Sequence, residues 1–206
     1  MIKIYKEGFE KRADFGGYNS GEHAVVGINI LFNVPAFQMG CNISNGTNVT
    51  VTAKLANTIY AIPFVAPQRG GHIAQMVTNA QAASNSARMG IYENVRNKTD
   101  MYPGALMAET QEYVEVVSDN LQFIQFSPDP NKLYWAVYVT NGTNNIQSCQ
   151  AQQCAHFLGM SESATTSMIT GLTVGHTFGA FPATFPGGAA FRENATIPLI
   201  KLRWGS

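Results

Sequence analysis

Charge is in short supply in this chain of 206 residues. Asp, Glu, Lys and Arg make up 13% of it, about half of the ~25% usual for soluble domains. Acids and bases balance at 13 each. A nucleic-acid interface needs clustered cations, and the one dense basic group, Arg88, Arg96 and Lys98, lies beside Glu93 and Asp100. That mixture reads as a solvated loop, so no nucleic-acid partner is expected. Long apolar runs are missing as well: none approaches the ~18 residues that a membrane helix requires. The N-terminus, MIKIYKEGFEKRADF, has neither the apolar segment nor the small-residue cleavage site of a secretory signal, so membrane insertion is not expected either. Cysteine is scarce and odd in number, with Cys41, Cys149 and Cys154. A disulfide-held fold would show a denser, even set. The three are therefore expected reduced and mostly buried, with a Cys149–Cys154 bridge as the alternative, closing too small a ring to stabilise much.

Motifs of catalysis are also wanting. No G-x-S-x-G, P-loop, H-E-x-x-H or EF-hand pattern occurs. His23, His72, His156 and His176 are widely separated, and the local set Cys149, Cys154 and His156 has no second cluster to complete a zinc shell. Glu109, Glu112 and Glu115 are close in sequence, as a glycosidase pair could be. On a strand, however, Glu115 between Val114 and Val116 is expected to face solvent. The expectation is a chain without enzymatic activity, cofactor or metal. Asn-x-Ser/Thr triplets at Asn42, Asn45, Asn48, Asn97, Asn141 and Asn194 read as coincidence in a chain rich in Asn and Thr.

What the chain has in quantity is strand grammar. Residues 1–24 are charged and glycine-containing with no sustained period, and read as an N-terminal arm or attachment segment; residues 25–206 form the domain proper. Ala24 to Phe32 is the first strand candidate. Asn45-Gly46 suits a tight hairpin, after which Val49, Val51, Ala53 and Leu55 alternate with Thr50, Thr52 and Lys54. That alternation predicts a strand with its valines inside and Lys54 in solvent. Thr58 to Val65 is a strand in which Pro63 argues for an edge or a bulge, and His72 to Thr78 is another. The alanines of Asn79 to Ser86 suggest a helix, yet their Asn and Ser neighbours favour a loop or irregular strand. Arg88 to Tyr92 is a strand, and Pro103-Gly104 a turn. Further strands are expected at Tyr113 to Val117, at Leu121 to Phe126 after a turn at Asp119-Asn120, and at Leu133 to Thr140 before a hairpin at Asn141-Gly142. Residues 146–195 show little period, and long loops with aromatic anchors are expected there, with room for a helical turn or two at Ser161 to Leu172. Ile200, Leu202 and Trp204 alternate as a closing strand. Eight to ten short strands without interspersed helices predict an all-β fold, an antiparallel β-sandwich of jelly-roll-like type.

Exposed aromatics are the best functional lead in the residues themselves. Phe178, Phe181, Phe185 and Phe191, interleaved with Pro182, Pro186, Gly187 and Gly188, suit a loop that stacks a sugar, meets another subunit or closes one end of the sandwich. Phe178, Phe181 and Phe185, with Arg96 and Lys98 of the loop Asn94 to Tyr102, are the candidate ligand or subunit contacts.

The succession TIYAIPFVAP, ARMGIYEN, YPGALMAET, LYWAVYV, FPATFP and IPLIKLR, over roughly residues 58–203, resembles a domain of bacteriophage virion-surface proteins of the tail-fibre, receptor-binding and decoration kinds. The resemblance implies a non-enzymatic structural protein, assembled in the host cytoplasm and displayed on the virion, commonly as a homotrimer. Its partners would be other virion proteins, held through the N-terminal arm, and a host surface glycan. Such domains often follow a long repetitive shaft, and these 206 residues hold no collagen-like or heptad repeat. The alternative from another class is a carbohydrate-binding module or lectin-like adhesion domain.

Overall fold

The computed structural model describes residues 36–38, 49–66, 71–82, 85–96, 101–149, 169–193 and 195–205. The expectations for the arm 1–24, the strand Ala24 to Phe32, the Asn45-Gly46 turn, Lys98, Cys154, His156 and the first part of the helical turns at Ser161 to Leu172 lie outside these residues; the last part, Ile169 to Leu172, is strand and not helix. The chain divides into two units, Met1–Phe37 and Gln38–Ser206. The boundary between them falls in a three-residue strand, β1 (Ala36–Gln38).

The remaining strands all belong to the second unit. They are β2 (Val49–Lys54), β3 (Thr58–Val65), β4 (His72–Ala82), β5 (Ser86–Arg96), β6 (Met101–Glu109), β7 (Tyr113–Val114), β8 (Ser118–Phe126), β9 (Leu133–Thr140), β10 (Asn144–Cys149), β11 (Ile169–Gly175), β12 (Ala190–Glu193), β13 (Ile197–Pro198) and β14 (Lys201–Gly205). There is no helix among the described residues. Two antiparallel sheets pack against each other as a β-sandwich, and neither closes into a barrel. The first runs β14–β4–β10–β13, with β2 on β10 and β8 on β4; the second runs β12–β11–β3–β9–β5–β6, with β7 on β5.

β9 is the axis of the second sheet. Its residues from Tyr134 to Thr140 are all buried, which is what an unbroken apolar run becomes when both faces of its sheet are covered. Tyr138 faces the first sheet, where it meets Glu115. Trp135, Val137 and Val139 face the other way, into a cluster with Ile59, Ala61, Tyr92, Leu172, Phe181 and Phe185. The segment from His176 to Ala189 therefore forms a third layer on the outer face of the second sheet.

Several local expectations are overturned. Pro103-Gly104 is no turn: both residues lie inside β6, with Pro103 opposite Asn94 across a bulge. Gly104 is required there because a Cβ would collide with Val95 Cγ2. Asn141-Gly142 is no hairpin, since it carries the chain from β9 in one sheet to β10 in the other. Gly142 lies against Asn85, whose side chain would collide with an added Cβ. Asp119-Asn120 falls within β8, and the Asn120 amide instead closes the preceding bend by accepting from Val116 N–H (2.8 Å) and donating to Val116 O (2.9 Å). The region 146–195, expected as long loops, includes β11 and β12 as well as loop. Pro63 lies in a strand with neighbours on both sides, but β11 pairs only as far as Ala61, so β3 is an edge where the proline stands.

Two strands are inverted relative to their hydrophobic pattern. In β2 and the residue after it, Val51 and Leu55 are exposed while Lys54 is buried. Around β7, Val114, Val116 and Val117 are exposed while Glu115 is buried beside Tyr113. The expectation that Glu115 and Lys54 face solvent is corrected, because in both places the core supplies hydrogen-bond partners that outweigh the side chain's preference for water. Cys149 is disulfide-bonded, against the expectation of a reduced thiol, and its partner lies outside the described residues.

Candidate functional site

The aromatic loop is held by the residues that dominate the sequence pattern. Gly90 in β5 has no side chain, and an added Cβ would lie 3.1 Å from the Phe181 ring; the ring rests on the bare backbone. Tyr92 meets Phe181 and Phe185 edge-on, with centroids 6.2 and 5.2 Å apart. Tyr92 Oη donates to Pro182 O and Tyr102 Oη to Pro186 O, each at 2.7 Å. The backbone of the loop then extends β6: Leu106 N–H donates to Ala183 O (2.8 Å) and Phe185 N–H to Gly104 O (2.9 Å). Phe181 N–H reaches Glu109 Oε2 at 3.1 Å, and the Glu109 carboxylate also lies 3.7 Å from Arg88.

The candidate contact residues thus separate. Phe181 and Phe185 are buried in the cluster over Trp135, and Phe178 is half-buried against it. Arg96 ends β5 opposite Met101, past Tyr92 along the same strand. What the loop turns to solvent is small: Thr177, Ala180, Ala183, Thr184, Gly187 and Gly188.

The large exposed apolar side chains lie elsewhere. Val114, Val116 and Val117 are 62%, 56% and 65% exposed, and Phe123 on β8 is 77% exposed. Val117 makes an isolated parallel bridge to Ala80 near the end of β4, so Val116 and Val117 lie in the bend that leads from β7 in the second sheet into β8 in the first. That strand hydrogen-bonds to β4 on one side, and among the described residues no strand pairs with its other side. Over nine residues it carries one charge, Asp119, and no Lys or Pro, the residues that usually protect an open edge. The equivalent edge of the second sheet, β6, is the one covered by Ala183 to Phe185.

Between these surfaces lies a buried polar cluster. Glu115 accepts hydrogen bonds from Thr78 Oγ1 (3.3 Å) and Tyr138 Oη (3.1 Å) and from the Asn144 amide. Asn144 is held in turn by Thr140 Oγ1 at 3.0 Å and Asn85 Nδ2 at 2.5 Å. Burial raises the Glu115 carboxyl above the usual range, and its three donors pull it partly back. The same burial, with the Glu115 charge nearby, keeps Tyr138 and Tyr113 protonated far above the ordinary phenol range. Glu115 is thereby a strut between sheets, with donors from β4, β9 and β10. Glu109 and Glu112 sit apart from it on Arg88, so the three glutamates do not converge.

Sequence reasoning missed Glu115, Lys54 and the valine edge. The signal that could have found them is the same in each case, an alternating strand whose ionisable member has the core as its other neighbour. Among the described residues no group of three or more His, Cys, Asp or Glu is placed to hold a metal ion, and no helix is long and apolar enough to cross a membrane. In comparisons with known proteins, no family model and no curated protein matches the chain.

Proposed function

We propose that this chain is a structural protein of the bacteriophage virion-surface kind, displayed on the particle without enzymatic activity and assembled with further copies of itself through the β7–β8 side. The observation that carries the reading is the open β8 edge, with Phe123 exposed on the strand and Val114, Val116 and Val117 exposed in the link that leads into it from β7. An apolar, nearly uncharged edge is a template for another protein strand, and copies of one chain bury it by cyclic symmetry. The resemblance of residues 58–203 to phage fibre and decoration domains supports the setting and leads to a trimer. Within the sandwich the motif residues of that resemblance are framework: Gly90, Tyr92, Tyr102 and Trp135 hold the phenylalanine loop in place.

The carbohydrate-binding alternative needs exposed ring faces. Phe181 and Phe185 do not offer them, which leaves, among the described residues, Phe123 and Phe191, both exposed, as the rings a sugar would meet. Light scattering coupled to gel filtration tests the first reading. The wild-type chain should elute as a trimer, and Val116→Lys with Val117→Lys, both at exposed positions, should elute as a folded monomer. A wild-type protein that stays monomeric at high concentration would refute assembly through this edge.

A further inference from the structure

Lys54 is the most deeply placed cation of the described residues, 1% exposed at the end of β2. Its Nζ donates to Thr52 Oγ1 at 2.7 Å and to Thr196 Oγ1 at 3.3 Å, and it lies 5.6 Å from the centroid of the Tyr60 ring. Arg192 reaches the same ring from β12 in the opposite sheet, with Cζ 5.9 Å from the centroid. Its Nε is buried and has no hydrogen-bond partner. No carboxylate of the described residues pairs with either cation, although Arg88, Lys132 and Lys201 all have one.

Burying an ammonium without a counter-charge is costly, and a guanidinium beside it adds to that cost. Methionine or leucine at position 54 would fill the space and avoid both. Around it Thr52, Thr196 and Arg192 are half-buried, and Thr52 Oγ1 donates onward to Ser148 Oγ at 2.8 Å. The two hydroxyls hold the ammonium as acceptors and leave it one proton to spare; an ammonium and a guanidinium, each with an unused donor, form the donor set of an anion receptor.

We infer that Lys54 and Arg192, with Thr52 and Thr196 holding the ammonium in place, form a binding site for a small oxyanion, either free in solution or carried as the acidic group of a sugar. The site is independent of the β8 edge and of the assembly proposed above. Lys54 is held down to about 7, first by burial and then by the charge of Arg192. Tyr60 and Arg192 are the titratable or charged groups that face it. An incoming anion favours the protonated amine, so occupancy takes up a proton and weakens as pH rises through about 7.

Thermal unfolding of the full chain at constant ionic strength, with inorganic sulfate, inorganic phosphate or glucuronate added, reads this out. In the wild type at least one of the three should raise the midpoint, with a half-saturating concentration at least tenfold lower than in Arg192→Gln or Lys54→Met. Saturation by sulfate or phosphate assigns a free oxyanion, and saturation by glucuronate alone assigns an acidic sugar. The sulfate response should shrink as pH rises through about 7. Sulfate and phosphate also stabilise proteins by exclusion from the surface, an effect common to all three proteins. Equal responses in wild type and Arg192→Gln, or no response to any of the three, overturn the inference. Should Lys54→Met fail to fold, Arg192→Gln, at a half-buried position, decides alone.

Discussion

Replacing Glu115 is the sharpest probe of how the two sheets are joined. In Glu115→Ala, three donors lose their acceptor. The Thr78 hydroxyl can still turn to Tyr113 Oη at 3.3 Å, and the Asn144 amide keeps Thr140 Oγ1 at 3.0 Å. The Tyr138 hydroxyl proton has no other acceptor within the cluster, since its remaining contact, at 3.4 Å, is one in which Asn144 donates to it. One full and two partial losses, at about 1–3 kcal/mol for an orphaned buried donor, give a destabilisation of about 3 kcal/mol. For a domain of this size that is a fall in Tm of roughly 6–12 °C.

Glu115→Gln separates shape from charge. Its carbonyl accepts from Tyr138 and Asn144, while its amide donates to Thr78, whose hydroxyl then turns to Tyr113. Burial raises the Glu115 carboxyl above its ordinary value of 4.5, so the folded state binds the proton more readily than the unfolded state does. Its stabilising contribution is therefore fullest at acid pH, below the unfolded value, and is lost as pH rises through the folded value. Glutamine carries no such dependence. Calorimetric unfolding of the three proteins across the acid-to-neutral range should show Glu115→Ala lowest throughout, and Glu115→Gln gaining on wild type as pH rises. A Glu115→Ala midpoint indistinguishable from wild type, or parallel pH profiles for glutamine and wild type, would refute the strut.

Two further outcomes rest on the same geometry. Phe181→Ala, which empties the space over Gly90 and Tyr92, should cost about 3–5 kcal/mol, and limited proteolysis should then cut between Thr177 and Ala189 first; a loop that stays resistant argues against the third layer. With three cysteines in the chain and Cys149 disulfide-bonded, thiol titration of the denatured, unreduced protein should find one free thiol, and reduction should raise the count to three. Three free thiols before reduction would exclude the bond.

The fold class was legible because strand alternation, proline and glycine are local signals. LYWAVYVT has the length and the unbroken apolar character of a strand buried on both faces, and it is one. Turn chemistry was less legible. Asn141-Gly142 and Pro103-Gly104 carry turn residues, yet their glycines answer to neighbours distant in sequence, Asn85 in the first case and, across the β5–β6 pair, Val95 in the second. A dipeptide cannot report what will approach it.

Residue order alone was enough to require an all-β sandwich, to gather the phenylalanines between 178 and 185 in one loop, and to leave a polar surface with little charge. Which way the strands face was settled by the packing of the two sheets. Alternation divides β2 and the Tyr113–Val117 run into two sides without saying which side is inner. Donors from β4, β9 and β10 drew Glu115 inward, and Tyr60 and two threonine hydroxyls did the same for Lys54. A buried ionisable group is stabilised by partners from several strands at once, and no single strand records them. The valines left outside are the consequence, and with them the edge through which the protein is proposed to assemble.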